Sequence, residues 1–166
     1  MGTQRNEMGV TMLELLVVIA IIGVMTSVAV GVSSSLGPTM RLDSAARDIR
    51  SAFQKAKLTA VRENEDCLVV FNTGSPGTYQ GCIDTDDDNA CDAGEEVILE
   101  KNFSDYPNIS LTGASFSNGN YIQFNNRGIP GPITGWSSGS VNCTNSNGEK
   151  RTITLLRTGD ITISSN

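Results

Sequence analysis

A chain of 166 residues with 39% apolar and 18% charged side chains has the composition of an ordinary folded protein and the length of about one domain. It contains no histidine, which excludes Ser-His-Asp and Cys-His catalytic pairs, His-bearing zinc sites and His-ligated haem. The net charge is −6, but Asp84 to Glu96 holds seven acids and no base, so the rest of the chain carries +1. No basic patch of the kind that binds a phosphate backbone stands out.

Leu15 to Met40 runs for 26 residues without a charge. As a helix it would reach about 39 Å, more than the roughly 30 Å of a bilayer core, so it is long enough to span. A secretory signal peptide would have a basic start, a shorter apolar stretch and a small-residue cleavage site, for which Ala29 and Gly31 are weak candidates. Here the leader, MGTQRNEMG, is polar and its Arg5 is offset by Glu7. Glu14 sits just inside the apolar run, where an unpaired carboxylate is expensive. By itself it reads either as a functional charge or as a helix-end charge reaching back to the headgroups.

Gly37 and Pro38 predict a kink or short break, because proline lacks an N–H and its ring collides with the carbonyl of Ser34. Helical periodicity then resumes. Leu42, Ala45, Ala46, Ile49, Ala52, Phe53, Ala56, Ala60 and Val61 fall at three-and-four spacing, a face built to pack on a sheet. The opposite face holds Arg41, Arg47, Arg50, Lys55, Lys57 and Arg62 against Asp43 and Asp48, with Asp43 and Arg47 spaced as an i,i+4 pair. It reads as a solvated face, with attraction of DNA or anionic lipid as the minor alternative.

Beyond Asn64 the chain breaks into short runs divided by Gly, Pro, Asn and Ser: CLVVFN, TYQGCI, EEVILEK, YIQF, KRTITLL and DITIS. Several alternate apolar and polar residues as half-buried strands do, and Arg157 to Asp160 is a turn candidate between the last two. The predicted class is α+β: a long kinked N-terminal helix, half membrane segment and half amphipathic, packed on antiparallel sheet. The expected division is a leader over 1–9, a transmembrane and assembly helix over 10–40, an amphipathic helix over 41–65 and a β-rich part over 66–166. Residues 41–166 would form one soluble domain.

The acidic segment fits the twelve-residue EF-hand calcium loop in its oxygen spacing. Asp84, Asp86 and Asp88 take positions one, three and five, Ala90 offers its carbonyl at seven, Asp92 lies at nine and Glu95 at twelve. Asn89 replaces the usual glycine at six, and Asn enters left-handed conformations more readily than most residues. The flanks, however, look like strands rather than helices. The candidates are a hairpin-borne Ca²⁺ site, the only cofactor in prospect, and a solvated Asx-rich turn; Mg²⁺ on one or two carboxylates would be less structured.

The residues Gly9-Val10-Thr11-Met12-Leu13-Glu14-Leu15-Leu16 resemble the class III leader site of type IV pilins and type II secretion pseudopilins. The resemblance implies that a membrane prepilin peptidase cuts after Gly9 and methylates Val10, leaving Glu14 at mature position five as the assembly residue. The family more often has Phe or Met where Val10 stands. The order of later parts, ARDIRSAFQKAKLTAVREN into CLVVFN, then YIQFNNRGIPGP, then KRTITLLRTGDITI, is similar to the GspH/FimT branch. That branch implies a non-enzymatic minor subunit with other pilins or pseudopilins, an inner-membrane assembly platform and membrane lipid as partners. It also implies a single-pass inner-membrane location, a periplasmic globular part and a place in a helical filament after assembly. Its members often carry a D-rich, G-E-ended turn where Asp84 to Glu95 lies.

Some FimT members bind DNA through a Gly-Arg-x-Arg tail. Thr158-Gly159-Asp160-Ile161-Thr162 has an acid and no arginine there, so DNA is not an expected partner, and a DNA-uptake pilin is the second reading. A secreted hydrolase finds no support, since the acids cluster in one turn and no nucleophile accompanies them. Cys67, Cys82, Cys91 and Cys143 include no C-x-x-C pair, against zinc or iron–sulfur binding. On the oxidising side of a membrane an even count favours disulfides. Cys82–Cys91 would close the base of the acidic loop and leave Cys67–Cys143, with reduced thiols in the sheet core as the alternative. Arg127 and Trp136, in Gly- and Pro-rich loops, read equally as a partner surface or a satellite core contact.

Overall fold

The computed structural model describes residues 11–117, 119–131 and 137–165, with side chains for all of these except 28–36. Contacts divide the chain between Gly37 and Pro38 into two compact units. Helix α1, Met12–Glu63, runs through both. Pro38 lies inside it, so the missing N–H costs one turn-to-turn bond without ending the helix, and the short break expected there is not found.

In the first unit, Leu13, Leu15, Leu16, Ile19, Ile21, Ile22 and Met25 are all more than half exposed. Side chains in that state are not packed into a core among the described residues. Among the described residues no helix is long and apolar enough to cross a membrane. The spanning expectation for Leu15–Met40 passes through residues 28–36, whose side chains lie outside the description.

The second unit packs the rest of α1 with two four-stranded antiparallel sheets, ordered β3-β2-β1-β5 and β4-β6-β7-β8. The strands are β1 Asp66–Asn72, β2 Thr78–Asp84, β3 Val97–Asn102, β4 Ile109–Ser115, β5 Tyr121–Phe124, β6 Ser138–Asn145, β7 Lys150–Leu156 and β8 Ile161–Ser165. The six predicted runs are all strands, and the turn at Arg157–Asp160 is closed by Leu156 N–H to Asp160 O at 2.9 Å. Strands β4 and β6 have no counterpart in the prediction. Their sequences, ISLTGAS and SGSVNCTN, are diluted by Gly, Ser and Asn, yet β6 still alternates, burying Gly139, Val141, Cys143 and Asn145.

The predicted helix face forms the centre of this unit's core. Leu42, Ala45, Ala46, Ile49, Ala52, Phe53, Ala56 and Ala60 are buried, while Val61 is half exposed and Thr59 takes the neighbouring buried place. Phe53 stands edge-on or tilted to Phe71 of β1, Phe116 beyond β4 and Phe124 of β5, with centroids 5.8, 6.2 and 6.3 Å away. One helical side chain thereby touches rings carried by three separate segments, at separations typical of favourable aromatic pairs.

The Asp43–Arg47 pair is not the one formed. Asp43 instead accepts from Arg151 Nε of β7 at 2.8 Å, and the Arg151 side chain is only 16% exposed. A partner shielded by the sheet is screened less than a solvated arginine on the same helix. Tyr106 Oη donates to Asp48 on α1, and burial, with that carboxylate second, pushes its phenol well above the usual range. The β1–β2 turn is tied to β4 by Gly74 N–H to Leu111 O and Leu111 N–H to Pro76 O, at 2.9 and 3.0 Å. Gly77, at φ +84, makes this approach feasible, because a Cβ there would lie 2.7 Å from that of Leu111.

Candidate functional site

Two regions carry candidate functional residues, one in each unit. At the start of α1, Thr11 Oγ1 accepts the backbone N–H of Glu14 at 3.2 Å, and Thr11 O accepts that of Leu15. Thr11 is therefore the N-cap and Glu14 the third helical residue, the spacing of a capping box. The Thr-x-x-Glu signal was present in the sequence and escapes notice there because Glu14 stands out for its charge in an apolar run. Gly9 and Val10 lie outside the described residues.

The acidic region is the connection between β2 and β3. Strand β2 ends on Asp84, which is only 2% exposed. The chain then turns through Asp87 and Asn89 at φ 61 and 64, left-handed values that Asp and Asn tolerate best among non-glycine residues. Three aspartates cap loop amides: Asp84 Oδ2 accepts from Asn89 N at 3.2 Å, Asp86 Oδ1 from Asp88 N at 3.4 Å and Asp88 Oδ1 from Ala90 N at 2.8 Å. A ligand oxygen from each of Asp84, Asp86 and Asp88 lies within 4.8 Å of the other two. Burial, partly offset by the Asn89 amide, pushes the Asp84 carboxyl above its ordinary range, and the neighbouring Asp88 does the same to exposed Asp92.

Glu95, expected at the twelfth ligand position, is placed differently. Its Oε1 accepts from Thr85 N at 3.0 Å and its Oε2 from Asp92 N at 3.1 Å, so both oxygens clamp the two limbs of the loop together. Both flanks are strands, β2 and β3, joined next to the loop by Ile83 N–H to Glu96 O at 3.0 Å.

Cys82 and Cys91 are bonded, with S–S 2.08 Å and Cα atoms 5.7 Å apart. Their closeness to Glu95 creates no metal site, because bonded sulfurs offer no thiolate. The second expected bridge is not formed: Cys67 and Cys143 are buried free thiols. Cys67 lies in β1 opposite Ile83 and Phe124, and Cys143 in β6 opposite Leu111 and Arg151. Strands of different sheets have no ladder to hold their Cα atoms within the roughly 7 Å that a disulfide needs. Burial pushes the Cys67 thiol up to about 11, with Asp66 adding to it, and the Cys143 thiol up to about 12. Neither should react with a thiol reagent in the native protein at pH 8. Alkylation and mass analysis should find both after unfolding and all four cysteines only after reduction; absence of free thiols in the unfolded, unreduced chain would restore the second bridge.

Arg41, Arg47, Arg50, Lys55 and Arg62 are exposed along α1. The Thr158–Ile161 turn adds Asp160, whose carboxylate accepts from Thr158 Oγ1 at 3.1 Å, and no basic side chain in place of it. Arg127 is exposed in the turn after β5, where its N–H donates to Asn125 Oδ1, and Trp136 lies outside the described residues.

Comparison with known proteins agrees with this architecture. Residues 45–159, more than half of the chain, match the family described as type II transport protein GspH. The chain is 34% identical over 131 residues to the pilin-like protein PilA1 of Thermus thermophilus, covering 76% of this chain and 81% of that one. Its fold is similar to that of the type IV minor pilin FimU of Pseudomonas aeruginosa, with a TM-score of 0.55 at 14% identity over 74% of this chain and 87% of that one. A long helix packed on antiparallel sheets, matched along most of its length to this family, leads to one conclusion: the chain belongs to the GspH family, among the pseudopilins and minor pilins.

Proposed function

We propose that this protein is a minor subunit of a type II secretion pseudopilus or a type IV pilus, and that its action is assembly rather than catalysis. The observation that carries the reading is the union, in one chain, of the Gly9-Val10-Thr11-Met12-Leu13-Glu14 site, an apolar helix and a GspH-family globular part. The subunit waits in the inner membrane as a single-pass protein with its globular part in the periplasm. A prepilin peptidase cuts after Gly9 and methylates Val10. An assembly platform then moves the apolar helix from lipid into the filament, where the exposed leucine, isoleucine and valine side chains of the first unit pack against neighbouring subunits.

Glu14 sets the register. Cleavage creates an amine at Val10 in an apolar medium, and a carboxylate four residues on, or on a neighbouring subunit, neutralises it. The intact mass of the membrane-extracted protein tests this: loss of residues 1–9 with the gain of one methyl group is expected. Loss of a longer segment ending near Gly31 would mean ordinary secretion and would remove the role given to Glu14.

A further inference from the structure

We propose that the β2–β3 loop is a calcium site, with the carboxylates of Asp84, Asp86 and Asp88 as its protein ligands and Asp92 beside them. The proposal is independent of how the chain is used in a filament. Four observations converge on it. The three aspartates alternate along the loop, and their ligand oxygens lie within 4.8 Å of one another. One Ca²⁺ with oxygens at about 2.3–2.6 Å can bridge such a separation.

Asp84 supplies the second and strongest observation. It is 2% exposed, its Oδ2 accepts the Asn89 N–H, and its Oδ1 has no hydrogen-bond partner among the described residues. A carboxylate oxygen buried without a donor is expensive, and a cation is the partner that removes the cost without a proton. Third, no positive side chain fills that role: the segment Asp84–Glu96 contains no Lys or Arg, and no ion pair among the described residues reaches Asp84, Asp86 or Asp88. Fourth, Asp86 and Asp88 each hold a loop amide with one oxygen, and the Asp88 and Asp92 carboxylates lie side by side, two like charges that one cation between them would offset.

The site departs from the helix-flanked loop whose spacing it shares. Glu95 is spent on the Thr85 and Asp92 amides, and with the Cys82–Cys91 disulfide it holds the loop in shape before any ion arrives. It is a positioning residue, and a missing bidentate ligand leaves room for water. An affinity of about 10⁻⁴ to 10⁻³ M is expected, the range of extracellular calcium modules.

The test is calorimetric titration of the full chain in detergent, disulfide intact and stripped with chelator, with CaCl₂ and separately with MgCl₂. One Ca²⁺ per chain is expected, bound at least about tenfold more tightly than Mg²⁺, and the unfolding midpoint should rise by about 3–6 °C at tenfold excess over the dissociation constant. In D86N/D88N, two exposed positions, the affinity should fall at least about tenfold. D84N guards against a merely structural role. It keeps an oxygen for the Asn89 N–H but removes the buried charge, so it should raise the midpoint without metal and abolish the calcium response. No saturable calcium binding at millimolar concentration, equal binding of Mg²⁺, binding unchanged in D86N/D88N, or a lowered metal-free midpoint in D84N would each overturn the proposal.

Discussion

Phe53→Ala should destabilise the Pro38–Asn166 unit by about 3–5 kcal/mol, the range for truncating a buried aromatic ring. Phe53 is 1% exposed and its ring meets Phe71, Phe116 and Phe124, which reach it from β1, the end of β4 and β5. Phe71 and Phe124 belong to one sheet and Phe116 to the connection that follows β4; among the described rings only Phe71 has as many aromatic partners. Deleting it opens a void where helix and strands meet, and backbone held by two hydrogen-bonded sheets cannot collapse to fill it. Since domains of this size are stable by only about 5–15 kcal/mol, the loss removes a large share of the total. Guanidinium unfolding of the variant, followed by circular dichroism, measures it. Val61→Ala, two helical turns further on and half exposed, is the control and should change stability by no more than about 0.5 kcal/mol. Equal effects at the two positions would refute the placing of the core.

Glu14→Val should leave the globular part folded and reduce recovery of the subunit in sheared filaments by at least about tenfold. The reason is electrostatic: under the proposed cleavage after Gly9, an amine at Val10 left without a carboxylate in an apolar surrounding would cost about 3–5 kcal/mol, and tenfold corresponds to about 1.4. Helix capping cannot explain such a loss. The bond at the helix start uses the backbone N–H of Glu14 and the Thr11 hydroxyl, both of which survive the substitution. Thr11→Ala separates the two effects, since it removes a cap worth about 1 kcal/mol and keeps the charge, and its filament yield should stay close to that of the unaltered protein. Wild-type yield from Glu14→Val would sink the role assigned to Glu14.

The legible parts of this molecule are those whose signal repeats over short distances. The three-and-four spacing from Leu42 to Ala60 needed no knowledge of the sheets to mark the buried helix face, and it misplaced only Val61. The apolar run CLVVFN and the alternation in KRTITLL marked strands for the same reason. Strand β6 alternates too, but Gly139 and Asn145, two of its four inward residues, carry no apolar side chain, which leaves only Val141 and Cys143 to signal a face. It pairs with β4 on one side and β7 on the other, and only those two ladders give SGSVNCTN its reason to be extended. Glu95 teaches the same lesson at the loop. Its spacing made it a candidate ligand, while the amides of Thr85 and Asp92, brought near by the hairpin, donate one to each of its oxygens.

Local pattern was enough to mark the helix and its buried face, the six apolar strand runs, the acidic loop on a hairpin and the candidate cysteines at its base. These follow from the periods of helix and strand and from neighbours close along the chain, which local physics fixes. Long-range packing is what pairs Asp43 with Arg151, keeps Cys67 and Cys143 as thiols on different sheets and buries Asp84 with an oxygen unpaired. Each of those outcomes depends on which distant strand comes to lie beside the residue, and that is chosen by the packing of the whole core rather than by any local spacing.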